Sequence, residues 1–313
     1  MPDRFLSLRP LGNTGLMVPF LCVGLAALGN MPETFGYGVS EEEALACLRE
    51  VFAGPITFID TAASYGNGES ERRIGQVLRE FGGLPPGFVL ATKADRDLVT
   101  GDFSGEQIRR SVERSVRLLG VEALQLCYLH DPEYTTFEAA MAPGGPVEVL
   151  CQLQAEGVIH FLGVAGGPLD LLTRFVETGL FAAAISHNRY TLLNQEADTF
   201  WDICAQHGVA ALNAAPYGSG ILAKGPNVYP RYMYSDVSQE TLARAQALAA
   251  LAERYQIPLA ALALQFSLRD PRIVSTIVGI SKPERLTQSL ALAQYPIPNE
   301  LWQEIDAFAP QQS

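Results

Sequence analysis

FIDTAASYG (58–66) ends a short apolar run on Asp60 and carries Tyr65 five residues further on. The construction recurs twice: LATK (90–93) closes on Lys93, and YLHD (128–131) places His130 at the end of LQLCYLH (124–130). Ionisable groups at the ends of β-rich runs converge when the runs lie side by side as parallel strands. Working outward, runs of this kind recur along the chain: FLCVGL (20–25), ITFID (56–60), FVLATK (88–93), LQLCYLH (124–130), IHFLGVA (159–165), AAAISH (182–187), VAALNA (209–214) and IVSTIVG (273–279). Most are nearly continuous in apolar residues, as strands buried on both faces are.

Longer amphipathic segments separate them. After Ser104, a helix-capping residue, Ile108, Val112, Ser115, Val116 and Leu119 follow at three- and four-residue spacing, with Glu106 near the start. Eight strands alternating with helices predict an α/β fold of the (β/α)8 TIM-barrel type, with its active site at the C-terminal strand ends. FLSLRPLGNTGLMVPF (5–20), turning around Gly12, Asn13 and Gly15, predicts a β-hairpin that closes the barrel bottom. The Gly-, Pro- and Tyr-rich connection 214–238 is expected to cover the active site.

The 313 residues show no composition shift, so one domain spanning 1–313 is expected. Hydrophobic residues at 48% and charged residues at 18% describe a globular chain with a large core. No run reaches 18 apolar residues, and positions 1–10 carry Asp3, Arg4 and Arg9 without a signal-peptide core, so a cytoplasmic protein away from the membrane is expected. Five cysteines, Cys22, Cys47, Cys127, Cys151 and Cys204, lack CxxC spacing, which encodes neither a disulfide framework nor a zinc site; reduced thiols are expected. A net charge of −12 without a basic cluster argues against nucleic acid as a partner.

Tyr65 suits acid–base work on an alcohol or carbonyl once its pKa, near 10 in an ordinary tyrosine, is lowered. A Lys93 ammonium favours the phenolate, Asp60 holds that ammonium charged, and His130 is expected either to orient the substrate oxygen or to help relay the proton. Singly these residues cap helices, fill loops or sit in solvent; together at adjacent strand ends they describe reversible hydride chemistry that requires no metal. FIDTAASYGNGESERRIG (58–75), ATK (91–93) and LHDPE (129–133), with LGNTGLMVP (11–19) upstream, resemble the aldo-keto reductase superfamily, and the similarity runs from about residue 8 to 308. The resemblance implies a catalytic tetrad of Asp60, Tyr65, Lys93 and His130, with tyrosine as proton donor or acceptor.

It also implies a nicotinamide cofactor. Taken alone, VGISKPERLTQSL (278–290) reads as a helix start with Ser281 as cap. It is similar to the family's terminal cofactor signature, which implies Gly279, Ser281, Lys282, Arg285 and Gln288 at the phosphate and adenosine end, where a helix N-terminus favours an anion. Gly279 and Ser289 stand where the commoner pattern has lysine and asparagine, leaving NADP and NAD both open. Ala165 and Gly166 replace the usual serine–asparagine pair at the carboxamide, so His187 and Asn188 are expected there, with Tyr217 as the stacking ring. SHNRYTLLN (186–194), NAAPYGSGIL (213–222), RYMYS (231–235) and 262–280 resemble a sugar-oxidising branch that also holds pyridoxal dehydrogenases. This implies oxidation of an aldose at C1 to a lactone, with Tyr37, Arg189, Tyr232 and Tyr234 as sugar contacts. The rivals are a general aldehyde or ketone reductase and, in a different class, a cofactor-binding regulatory subunit. Whether the chain is a monomer or a homo-oligomer is not encoded legibly.

Overall fold

Each apolar run forms a strand in the computed structural model, which describes residues 6–233 and 235–307. A hairpin of β1 (Leu8–Pro10) and β2 (Met17–Pro19) precedes β3 (Leu21–Gly24), β4 (Phe58–Asp60), β5 (Val89–Ala94), β6 (Leu124–His130), β7 (Ile159–Gly166), β8 (Ala183–His187) and β9 (Ala210–Ala214). A two-stranded excursion, β10 (Arg231–Tyr232) with β11 (Ser235–Asp236), interrupts the series before β12 (Ile273–Gly279). β3 to β9 pair in parallel in chain order, and β12 joins β9 to β3, closing an eight-stranded barrel. The expected (β/α)8 fold is what forms.

Side-chain alternation divides each strand between two apolar clusters. Phe58, Val89, Ala91, Leu126, Tyr128 and Ile185 face the barrel axis, whereas Ile59, Leu90, Cys127 and Leu129 pack against the helices. That parity is functional, because Asp60, Lys93 and His130 lie an even number of residues from Phe58, Ala91 and Tyr128, so all three turn inward above the apolar filling. Leu11 and Val18 are fully buried within the same axial cluster. The hairpin thus seals the N-terminal end with apolar side chains and leaves the opposite rim for chemistry. Tyr128 fills the middle of the barrel, and Gly163 stands opposite it because any Cβ there would overlap the ring.

The helix Gly105–Leu119 follows the expected pattern, with Ser104 Oγ accepting from the Gln107 amide at 3.2 Å and Ile108, Val112, Ser115 and Leu119 buried. At the chain's far end the helix begins at Glu284, with Pro283 at the N-cap, so Ser281 lies outside the helix and does not cap it. Proline fixes a helical φ at the entry and supplants a hydroxyl cap. All five cysteines are free thiols, four of them buried. No single helix among the described residues is long and apolar enough to cross a membrane.

One group buried between helix and barrel costs stability above neutral pH. Glu71, on Glu69–Phe81, is fully buried and accepts from Thr92 Oγ1 at 2.6 Å. Burial, only partly offset by that bond, pushes its carboxyl from 4.5 up to about 7. A carboxyl with a raised folded pKa contributes most below its unfolded value, and the contribution is lost as pH rises through the folded one. That rise corresponds to roughly 3 kcal/mol at 1.36 kcal/mol per pKa unit. Glu71→Gln, which imitates the protonated carboxyl, is expected to raise stability at pH 8 and leave it nearly unchanged at pH 4; denaturant titrations at both values check this.

Candidate active site

The four expected polar groups meet at the C-terminal rim. Lys93 Nζ lies 2.5 Å from Asp60 Oδ1, 2.7 Å from the Thr61 carbonyl and 3.3 Å from the Tyr65 hydroxyl. Three acceptors match the three donors of an ammonium. Burial pulls the lysine pKa down, but Asp60 and the Tyr65 oxygen outweigh it and the net direction is up. Burial pushes Asp60 toward protonation, and its Oδ2 has no hydrogen-bond partner. We regard the pair as ionic, because the short contact and the three acceptors around Nζ fit an ammonium beside a carboxylate. An ammonium beside a phenol oxygen favours the phenolate.

Tyr65 is placed by its backbone neighbours. Its carbonyl accepts from the Ser70 amide, and Ser70 Oγ bonds both Thr61 Oγ1 at 2.8 Å and the Leu25 carbonyl at 3.0 Å. Gly66 has a φ of +60°, and a Cβ there would overlap the backbone of Gly29. The turn after β4 therefore seats tightly on the loop after β3, which fixes the ring's origin.

His130 meets the Tyr65 ring edge-on with centroids 5.9 Å apart. Its Nδ1 lies 2.6 Å from Asp95 Oδ1, and Asp95 also accepts from the Ser64 amide at 2.8 Å. Asp95 is absent from the sequence-based expectations, although its position two residues past Lys93 signals the same inward face.

The expected cofactor contacts divide between two parts of the rim. His187 ends β8, and burial holds its imidazole below the ordinary histidine value. Asn188 is fully buried with a φ of +60°; its amide nitrogen lies 3.2 Å from His187 Nδ1 and its oxygen accepts from Ser219 Oγ at 3.0 Å. The Tyr232 hydroxyl donates to the Asn188 carbonyl at 2.5 Å. Asn188 therefore pins the connection 214–238, which folds over the β8 end as a short helix, Ile221–Lys224, and the β10–β11 ribbon. Arg189 reaches toward Gly167, with Nη1 buried and unpartnered. Tyr234 lies outside the described residues.

On the other side, Gly279 ends β12 with open space where a side chain would project. Ser281 and Lys282 lead into the helix Glu284–Gln294, where Arg285 donates to Gln288 at 3.2 Å. Burial, then the charges of Arg285 and Arg231, lower the pKa of Lys224. Its ammonium lies 3.9 Å from the Tyr229 ring centroid and 5.6 Å from that of Tyr37. Tyr37 is thus beside Lys224. Tyr217 has its hydroxyl buried and unpartnered, within electrostatic range of Arg285. Lys224 and Arg231 were not singled out from sequence, because single cations in a long connection carry no pattern; only the fold puts Lys224 within electrostatic range of Arg231 and Arg285. Positive charge of this kind along the rim fits an anionic group such as a diphosphate.

A parallel eight-stranded barrel with a lysine, a carboxylate, a tyrosine and a histidine at its rim defines an oxidoreductase of the barrel type. The chain belongs to the aldo/keto reductase family, whose sequence pattern matches residues 20–310. Its relatives include a D-threo-aldose 1-dehydrogenase from a Pseudomonas species, 33% identical over 93% of this chain and 94% of that protein. A pyridoxal 4-dehydrogenase of Microbacterium luteolum is 29% identical over 94% and 95% of the two chains, and an L-galactose dehydrogenase of Arabidopsis thaliana is 29% identical over 91% and 88%. In fold, the chain is similar to an aldo-keto reductase from Bacillus halodurans in its holo form, with a TM-score of 0.79 and 23% identity over 97% and 96% of the chains. The family acts on small carbonyl or sugar substrates with nicotinamide cofactors.

Proposed function

We propose that this chain, working as one catalytic unit, is a nicotinamide-dependent aldose dehydrogenase that oxidises a sugar of the L-fucose, D-arabinose or L-galactose type at C1 to the lactone. The observation that carries the reading is Lys93 Nζ shared between Asp60 and the Tyr65 hydroxyl. Tyr65, as phenolate, takes the proton of the anomeric hydroxyl while the C1–H bond breaks and C1 becomes a carbonyl. His130 hydrogen-bonds the same oxygen and holds it near Tyr65. Bound NAD or NADP supplies the hydride acceptor. Lys224, Arg231, Lys282 and Arg285 would hold its phosphates, with Ser281 and Gln288 in the same segment as the last two and Gly279 leaving room for close approach. His187 would face the carboxamide and Tyr217 would offer a ring, while Asn188, fully buried with its side chain bonded to His187 and Ser219, would hold that part of the rim in place.

Sugar rather than simple aldehyde chemistry is supported by the relative most similar among those named, an aldose dehydrogenase at 33% identity. A spectrophotometric panel of L-fucose, D-arabinose and L-galactose with each cofactor, against reduction of simple aldehydes and pyridoxal, tests it. Sugar-dependent formation of reduced cofactor is the expected result; turnover confined to aldehydes would overturn the sugar assignment.

A further inference from the structure

Asp95 follows β5 and turns inward on the face of Lys93. It is 2% exposed, and its backbone is fixed on the adjoining helix: its amide donates to Ser111 Oγ at 3.0 Å and its carbonyl accepts from Gln107 Nε2 at 3.3 Å. One carboxylate oxygen accepts from the Ser64 amide and the other lies 2.6 Å from His130 Nδ1. A carboxylate only accepts, so Nδ1 must carry the proton. With Nδ1 protonated, the neutral ring has a bare Nε2, and Nε2 donates only when the ring is an imidazolium. Nε2 itself faces another acceptor, Asp131 Oδ1, at 3.5 Å. Asp131 reaches that place because its own φ is +45° and its amide is tied to the Ala165 carbonyl at 2.7 Å.

We propose that Asp95 is a positioning residue that fixes the ring of His130 and keeps it an imidazolium, so that Nε2 presents a charged hydrogen-bond donor to the substrate oxygen handled by Tyr65. The assignment rests on the proposed roles of Tyr65 and His130. The groups around the ring are mixed in sign: Asp95, Asp131, Asp60 and Glu133 against Lys93, with His187 across the rim and Tyr65 and Ser64 beside it. Burial and Lys93 pull the imidazole pKa down; the adjacent Asp95 and Asp131 more than offset them, so the net direction is up. A charged donor stabilises negative charge developing on the oxygen in either direction of hydride transfer better than a neutral ring does.

Ring-nitrogen NMR of 15N-histidine-labelled full chain tests the proposal without any substrate. With four histidines in the sequence, loss of one signal set in His130→Gln makes the assignment. Both nitrogens of His130 are expected in the imidazolium range at pH 7.5, and Asp95→Asn is expected to lower the titration midpoint by about one pH unit or more, as loss of a directly paired charge does. An amide at 95 also no longer dictates which ring nitrogen is protonated. On whichever sugar or carbonyl is turned over, kcat of Asp95→Asn at pH 8 should fall by about tenfold to a hundredfold and recover as pH is lowered toward 6, a recovery that a purely structural lesion would not show. A neutral His130 in the wild-type protein at pH 7.5, or an unchanged midpoint in Asp95→Asn, overturns the proposal; the wild-type spectrum decides it even if the variant does not fold. Failure of the sugar panel would remove the proposed function and leave this readout intact.

Discussion

Tyr65→Phe is expected to lower the single-turnover rate of hydride transfer by about a hundredfold to ten-thousandfold, the range of a lost general acid–base group, with the fold and cofactor affinity retained. Only the phenolic oxygen disappears. Lys93 keeps two of its three acceptors, Asp60 Oδ1 and the Thr61 carbonyl, so the buried charge stays compensated. The ring keeps its edge contact with His130 and its seat on the turn after β4. Stopped-flow absorbance of the reduced cofactor reads the rate, and fluorescence titration of the binary complex reads cofactor binding. A rate within a few-fold of wild type would remove Tyr65 from the proton transfer; an equal loss of cofactor affinity would mean that the substitution disturbs the rim.

The fold was legible because burial on both faces of a parallel strand imposes an apolar run, and eight such runs admit few closures. The positions of Asp60, Lys93 and His130 were legible for the related reason that strand side chains alternate, so residues at matching parity share a face. Asp95 obeys the same rule, yet it lies one residue past the end of β5, where periodicity read from sequence loses its hold. Lys224 and Arg231 were invisible for a different reason: the charge that Lys224 shares with Arg231 and Arg285 depends on how the connection 214–238 folds back, which its turn-rich composition does not specify. The same composition concealed that the Tyr232 hydroxyl is engaged by the Asn188 backbone, and that Tyr37 stands beside Lys224. The Ser281 expectation failed locally, since Pro283 two residues later already supplies the helix-start geometry.

Lys93→Met is expected to be the most destabilising of the substitutions considered, and to abolish hydride transfer as well. Methionine fills much of the lysine's volume but leaves the Asp60 carboxylate in a site where Oδ2 already has no partner. Breaking a buried ion pair from one side costs about 3–5 kcal/mol, because the remaining charge is uncompensated. The carboxyl escapes part of that cost by taking up a proton, so its folded pKa lies above its unfolded value. Stability from such a group is present below the unfolded pKa, near 4 for aspartate, and is lost as pH rises through the folded one. Denaturant unfolding of the variant should therefore show a deficit at pH 8 that shrinks toward pH 4. Asp60→Asn in the Lys93→Met background should recover much of the stability at pH 8, since it removes the stranded charge, and should recover none of the activity, since Tyr65 still lacks its ammonium. Non-additivity of the two substitutions in a double-mutant cycle measures the coupling. If Lys93→Met were as stable as wild type at pH 8, with no dependence on pH, the pair would not be ionic in the folded protein, and the argument that the lysine charge drives Tyr65 toward phenolate would fail with it.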